Sequence, residues 1–255
     1  MLPIDSAAPT AVSPALHPSV AEMAERAGTV LAGALGADLK SFTVVGHAVV
    51  EGLDKDELLQ SLVVAGDDAD LFGLAQRLAD VSGRLKKQQV GPPLLMTDAY
   101  IDRSHDCFPI ELLHMQLLHH TVAGDDPLAS LSVDKAHVRS QCEREAKRYL
   151  LHIRQGVMRH GHNAALLHGV LVELLEAVLP LFGAVLYYKD VGRPRDRAAL
   201  LEAFGRSIGA DITPFQQDLG DASGQRPLER DRYAPVLRGC YAVLESLAKW
   251  LDESA

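Results

Sequence analysis

The stretch of sequence that decides the fold is Leu39–Ala65, LKSFTVVGHAVVEGLDKDELLQSLVVA. Its first seven residues, Leu39–Val45, are rich in the β-branched and aromatic side chains that strands favour, and they end at Gly46. A polar turn follows, and Leu58–Ala65 is a second apolar run whose length suits a buried strand. The pattern therefore predicts two strands joined through a glycine and a polar turn.

On either side of these strands the apolar residues recur at helical spacing. Residues 20–35 and 71–87 both follow this pattern, which predicts two amphipathic helices. Further along the chain, residues 108–115 (FPIELLHM) predict a third strand. Helices that alternate with strands are typical of an α/β domain. We place this domain at residues 19–132, after a flexible tail over residues 1–18.

From residue 133 onwards the helical spacing continues, which predicts an all-helical bundle over residues 133–255. The most apolar segment of this region, residues 164–188, is long enough to cross a membrane. Glu173 and Glu176 lie near its middle, however, and each ionised carboxylate there costs about 2–3 kcal/mol on membrane insertion. We therefore predict that the segment is the central helix of the bundle, and we expect no membrane partner.

The composition is that of an acidic protein with free thiols. The formal net charge of the 255 residues is -9, whereas a protein that binds a phosphate backbone needs a basic surface, so nucleic acid is not an expected partner. Cys107, Cys142 and Cys240 are far apart and form no CxxC pair, which is typical of a reducing compartment. Residues 1–18 contain no Lys or Arg, unlike a secretion signal. These features predict a cytoplasmic protein.

The segment over residues 39–64 resembles the signature of the DNA-polymerase-β-like nucleotidyltransferase superfamily. In that family a strand ends in Gly-Ser or Gly-Gly, a turn follows, and a second strand carries two carboxylates one residue apart. Because side chains alternate along a strand, both carboxylates share one face, where they hold two magnesium ions. Four further motifs look like those of a bacterial family of predicted nucleotidyltransferases: residues 92–97 (PPLLMT), 108–111 (FPIE), 124–127 (GDDP) and 141–145 (QCERE).

This resemblance covers nearly the whole chain after the tail. It implies an α+β fold, in which an N-terminal nucleotidyltransferase-like mixed sheet with flanking helices is followed by an all-α helical bundle. It also implies that the backbone at Gly46 and His47 approaches the phosphates of a nucleotide. Magnesium and a nucleoside triphosphate are the cofactors that an active member of the family would use.

Two departures from the family pattern predict that catalysis has been lost. The chain has Gly46-His47 where the family has Gly-Ser. When the second strand is aligned with that of the family, the metal carboxylates fall at Leu58 and Gln60, and neither side chain binds a hard cation as a carboxylate does. Shifting this alignment by one residue brings in Glu57 but places Leu59 at the second position.

Four other carboxylates are candidate replacements for the missing ligands. Asp54 and Asp56 lie one residue apart in the turn before the second strand, beside Glu57, and Glu111 lies in the predicted third strand. With Asp56, Glu57 and Glu111 as catalytic residues, and Asp54, Asp56 and Glu111 as metal ligands, the protein would be an active magnesium-dependent nucleotidyltransferase acting on a small-molecule or protein acceptor. The favoured hypothesis is a pseudoenzyme that binds a nucleotide or a protein partner, or that forms a homodimer through the helical domain.

Overall fold

The structure is a computed structural model that describes residues 15–53, 57–224 and 226–254. The contacts within it divide the chain into two compact units. The first unit is Met1–His105 with His114–Ser132, and the second is Asp106–Leu113 with Val133–Ala255. The short segment 106–113 therefore belongs to the same unit as the helices that follow residue 132.

The first unit is built on a mixed four-stranded sheet. Its strands are β1 (Leu39–Val45), β2 (Gln60–Ala65), β3 (Leu94–Thr97) and β4 (His119–Gly124). The order across the sheet is β3-β2-β1-β4, with β1 antiparallel to both of its neighbours and β2 parallel to β3. The two strands predicted from residues 39–65 are thus confirmed, and they lie side by side in the middle of the sheet.

Helices α1 (Pro18–Leu35), α2 (Ala48–Glu51) and α3 (Leu71–Lys87) form a core with one face of this sheet. The first unit also contains helix α4 (Asp98–Arg103) and a 3-10 helix at Gly36–Asp38. Leu31 of α1 and Leu78 of α3 belong to the same buried cluster as Phe42 of β1. Pro18 lies in the first turn of α1, where its missing N–H leaves no helical hydrogen bond unmade.

The third strand predicted at residues 108–115 is wrong, because this segment forms helix α5 (Pro109–Leu117). Pro109 lies in the first turn, where proline is tolerated in a helix. The backbone N–H of Ile110 donates a hydrogen bond to Oε1 of Gln141 at 2.8 Å, which satisfies one of the donors that a helix start leaves open. The strand that follows β3 in the chain is β4 instead.

The second unit is a helical bundle. Its helices after residue 132 are α6 (Lys135–His160), α7 (Ala164–Tyr188), α8 (Arg197–Ile208), α9 (Thr213–Ala222) and α10 (Tyr233–Glu253), with a 3-10 helix at Arg230–Arg232. Helix α7 packs against the other four. By length and composition alone it could cross a membrane, but 67% of its most apolar window is buried inside the protein. Helix α7 is thus the central helix of the bundle, as predicted.

Three aromatic rings fill the centre of the bundle. Phe182 of α7 is fully buried and stacks on Phe204 of α8, with ring centroids 3.7 Å apart. Phe215 of α9 meets the same ring edge-on at 5.2 Å. The ring of Phe182 therefore connects α7 to both α8 and α9.

A carboxyl group is also buried in this bundle. Asp218 of α9 is fully buried, and neither of its carboxyl oxygens has a hydrogen-bond partner among the described residues. Burial, together with the nearby carboxylates of Asp221 and Glu176, raises the pKa of Asp218 to about 7. The bundle thus holds an acid that changes charge near neutral pH.

Candidate functional site

The end of strand β1 forms a turn that glycine adopts more easily than other residues. Gly46 has a φ of 91°, in the region that side chains with a Cβ disfavour. Its N–H donates to the carbonyl oxygen of Leu118 at 2.8 Å, which ties the turn to the residue before β4. A Cβ on Gly46 would lie 3.6 Å from Oε1 of Gln60, the first residue of β2. The ends of β1, β2 and β4 therefore meet around Gly46.

One rung of the sheet brings three side chains to a common face. Val45 pairs with Gln60 of β2 and with His119 of β4. Because side chains alternate along a strand, these three point away from the face that carries Val44, which packs in the core with α1 and α3. A glutamine and a histidine thus flank the end of β1.

His47 follows the glycine turn and is nearly buried, with 8% of its surface exposed. Its Nδ1 lies 3.8 Å from Oε1 of Glu51, one helical turn later in α2. The ring of His114 in α5 lies 5.3 Å from the ring of His47, measured between centroids. With His119, three imidazoles surround the end of β1.

His119 is fully buried, and both of its ring nitrogens are engaged. Nδ1 donates to the carbonyl oxygen of Gln116 at 2.9 Å, and Nε2 lies 2.9 Å from Oδ2 of Asp126. The other oxygen of Asp126 accepts the backbone N–H of Leu128 at 2.9 Å. These two contacts fix the orientation of the ring. The start of β4 is therefore tied to the turn at Asp126 by a contact between a buried imidazole and a carboxylate.

Removing the carboxylate of this pair is expected to destabilise the first unit. Asp126→Ala leaves a buried nitrogen of His119 without its acceptor, and we expect the free energy of unfolding to fall by about 1–3 kcal/mol. Asp125→Ala removes the neighbouring, exposed carboxylate. It is expected to change stability by about 0.5 kcal/mol or less. Urea denaturation followed by circular dichroism measures both, and equal losses in the two variants would contradict a stabilising contact between His119 and Asp126.

The predicted carboxylate ligands lie in different settings. Glu111 lies on helix α5, so its expected position on a strand is wrong, because its segment is helical. It belongs to the second unit, where its Oε2 accepts a hydrogen bond from Nε2 of Gln141 at 2.9 Å. Glu57 is exposed, three residues before the start of β2 at Gln60. Asp54 and Asp56 lie outside the described residues.

The structure reveals the His119–Asp126 pair, which was not predicted from the sequence. The sequence places two adjacent histidines, His119 and His120, a few residues before the acidic turn at 124–127. The predicted third strand at residues 108–115 lies too early in the chain to connect these histidines with the turn. Within residues 15–53, 57–224 and 226–254, no three His, Cys, Asp or Glu side chains form a group that could hold a metal ion.

Comparison with known proteins identifies a similar fold. No family model and no curated protein matches the sequence. The chain is similar to a crystal structure of spectinomycin adenyltransferase AAD(9) from Enterococcus faecialis with ATP and spectinomycin. The TM-score is 0.55 at 10% sequence identity, over 89% of this chain and 98% of that chain. The likeness confirms the α+β fold, a nucleotidyltransferase-like mixed sheet with flanking helices followed by a helical bundle.

Proposed function

We propose that this protein is a nucleotidyltransferase-like pseudoenzyme, which binds a nucleotide at the end of β1 and does not transfer it. The observation that carries the proposal is the rung at Val45, where Gln60 and His119 flank the strand end. In the family that the sequence resembles, the position aligned with Gln60 holds a metal-binding carboxylate. Magnesium is held in such sites by charged carboxylate oxygens, and a neutral amide is a poor substitute.

The fold supports a nucleotide as the ligand. The similar structure, spectinomycin adenyltransferase AAD(9), is a complex with ATP and spectinomycin. In this chain, Gly46 has no side chain to obstruct the approach of a phosphate, and the imidazoles of His47 and His114 lie beside it. When protonated, these rings complement the negative charge of phosphate groups. We therefore propose that imidazole and backbone groups bind the phosphates, in place of magnesium held by carboxylates.

Calorimetric titration of ATP, GTP, CTP and UTP, each with and without magnesium, tests this proposal. We expect the wild-type protein to bind at least one nucleotide, with a Kd that magnesium leaves unchanged. His47→Gln is expected to weaken this binding by about tenfold, because it removes one hydrogen bond to the phosphates.

Two matched variants test the role of the missing carboxylate. Gln60→Glu adds a carboxylate at the strand end, whereas Gln76→Glu adds the same charge on an exposed part of α3. Only Gln60→Glu is expected to make nucleotide binding depend on magnesium. Magnesium-dependent release of pyrophosphate by the wild-type protein would overturn the pseudoenzyme, and Asp56→Asn and Glu111→Gln would then test the alternative ligands. If none of the four nucleotides binds, the proposal that the ligand is a nucleotide is wrong, and a protein partner is favoured instead.

A further inference from the structure

We infer that the first unit carries a second ligand site, a cavity beside helix α3 that accepts an apolar chain ending in an anionic group. This α3 cavity has a volume of about 600 Å³. Small-molecule sites in proteins have volumes of about 300–1,000 Å³ and are mostly lined by apolar side chains. Gly46, His47 and Gln60 do not line the α3 cavity, so this inference is independent of the proposed nucleotide site.

One wall of the α3 cavity is a face of helix α3 with small side chains. Leu74, Leu78, Val81 and Leu85 form the buried stripe of this helix. Next to that stripe, Ala75, Ala79 and Gly83 line the cavity and leave room that larger residues would fill. The helix therefore packs into the core along one stripe and leaves an open space beside it.

The opposite wall comes from the chain that leads into β2 and β3. Pro92, Pro93 and Leu95 line it, with Val90 buried at the same cavity. Leu58 also lines it and is 41% exposed, with its Cβ 3.5 Å from the position a Cβ would take on Gly91. A ligand would cover this exposed leucine, and burial of apolar surface favours binding. The residue aligned with a metal carboxylate of the family thus contributes to an apolar site.

The charge of the residues that line the α3 cavity indicates the charge of the ligand's polar end. Lys86 lines the cavity, and none of the other lining residues is charged. In the described part of the chain, Lys86 forms neither an ion pair nor a side-chain hydrogen bond. Arg84 and Lys87 lie in the same helical turn but do not line the cavity, so Lys86 is the cation that a ligand there would meet. An anionic head group on an apolar chain complements both the cation and the apolar walls.

Isothermal titration with three probes of equal chain length tests this charge selection. Dodecanoate is expected to bind the wild-type protein with one-to-one stoichiometry, and dodecyltrimethylammonium more weakly by up to about fivefold, the contribution of one ion pair at an exposed site. Lys86→Gln is expected to weaken dodecanoate binding by up to about fivefold and to leave dodecanol binding unchanged. Lys87→Gln, one residue along the same turn, is the control and should bind dodecanoate as the wild type does.

Filling the cavity tests its location. Ala79→Trp and Ser82→Trp each place an indole in the α3 cavity and are expected to abolish dodecanoate binding. Gln76→Trp adds the same group to α3 at a residue that does not line the cavity, and should have no effect. Two filling variants are used. If thermal melting shows that one of them does not fold, the other still tests the location of the cavity. Methyl NMR signals of Leu58 and Val90 should shift when dodecanoate binds the wild type.

Three results would overturn the α3 cavity as an anionic amphiphile site. The first is no binding of dodecanoate to the wild type, and the second is binding of dodecyltrimethylammonium as tight as that of dodecanoate. The third is unchanged dodecanoate binding in folded Ala79→Trp or Ser82→Trp. Nucleotide titration of the same variants reports on the proposed function separately.

Discussion

Asp218→Asn is expected to remove a large pH-dependent loss of stability from the helical bundle. The pKa of Asp218 is about 7 in the folded protein, against a value of 3.8 for an unperturbed aspartate. Because the folded protein holds this proton more tightly than the unfolded chain does, the stability it contributes is fully present below pH 3.8. That contribution is lost as the pH rises through 7. A shift of about three pKa units corresponds to about 4 kcal/mol at pH 8.

The measurement is the free energy of unfolding of Asp218→Asn minus that of the wild type between pH 4 and 8. This difference should increase with pH by up to about 4 kcal/mol, because asparagine cannot ionise. Any constant cost of burying the amide cancels in the pH dependence. Trp250, the one tryptophan of the chain, lies in α10 and reports on the second unit by fluorescence.

Asp211→Asn is the matched control in the same unit. Asp211 is exposed, and hydrogen bonds from the hydroxyl and backbone N–H of Thr213 lower its pKa. Its contribution is therefore present above the unperturbed pKa of 3.8 and is lost as the pH falls below that value. Across pH 5 to 8 its variant should differ from the wild type by a constant amount. If the difference in free energy of unfolding between Asp218→Asn and the wild type is also independent of pH, the buried carboxyl does not titrate in this range.

Phe182→Ala is expected to lower the free energy of unfolding of the second unit by about 3–5 kcal/mol. The ring is fully buried, stacks on Phe204 and meets Phe215 edge-on, so its removal leaves a cavity between three helices. Chemical denaturation followed by tryptophan fluorescence gives the value. Phe182→Leu keeps most of the volume and is expected to cost less than half as much.

An exposed phenylalanine provides the comparison for this core substitution. Phe72 of α3 is 76% exposed, and its replacement by alanine is expected to change stability by about 0.5 kcal/mol or less. That variant belongs to the first unit, so circular dichroism is the suitable probe. A cost below about 1 kcal/mol for Phe182→Ala would contradict the packing of the bundle around this ring.

Much of the fold was predictable where local signals agree with tertiary packing. Strand β1 and helix α3 have the bounds that the sequence predicts, Leu39–Val45 and Leu71–Lys87. β-Branched residues and a glycine at its end define the strand, and apolar spacing with a basic last turn defines the helix. Strand β2 begins at Gln60, two residues later than predicted, because Leu59 forms only an isolated bridge with Val90.

The error at residues 108–115 arose because this segment fits two patterns at once. Apolar residues at 108, 110 and 112 match the period of a strand, while those at 110, 113 and 117 match that of a helix. Pro109 and the hydrogen bond from Ile110 to Gln141 favour the helix, and the second of these is invisible in the local sequence. Strand β4 was missed since its pairing with β1 is non-local and its first two residues are histidines.

The sequence predicted which family residues the candidate site lacks better than it predicted which residues the site contains. Alignment with the family pattern identified Gln60 in place of a carboxylate and His47 in place of a serine, and both lie at the end of the β1–β2 pair. No local pattern links His119 to Asp126, because their contact depends on the turn that follows β4. Likewise, the position of Glu111 was predicted wrongly because its segment, which fits a strand pattern, forms helix α5.

The order of the strands has a consequence for synthesis of the protein. Strand β1 meets β2 soon after both leave the ribosome, but its other edge must wait for β4, which ends 59 residues after Ala65, at Gly124. At about 5–20 residues per second, that interval lasts about 3–12 s. An unpaired strand edge can join the wrong chain during such a delay. One edge of β1 therefore stays unpaired for several seconds while the chain is synthesised.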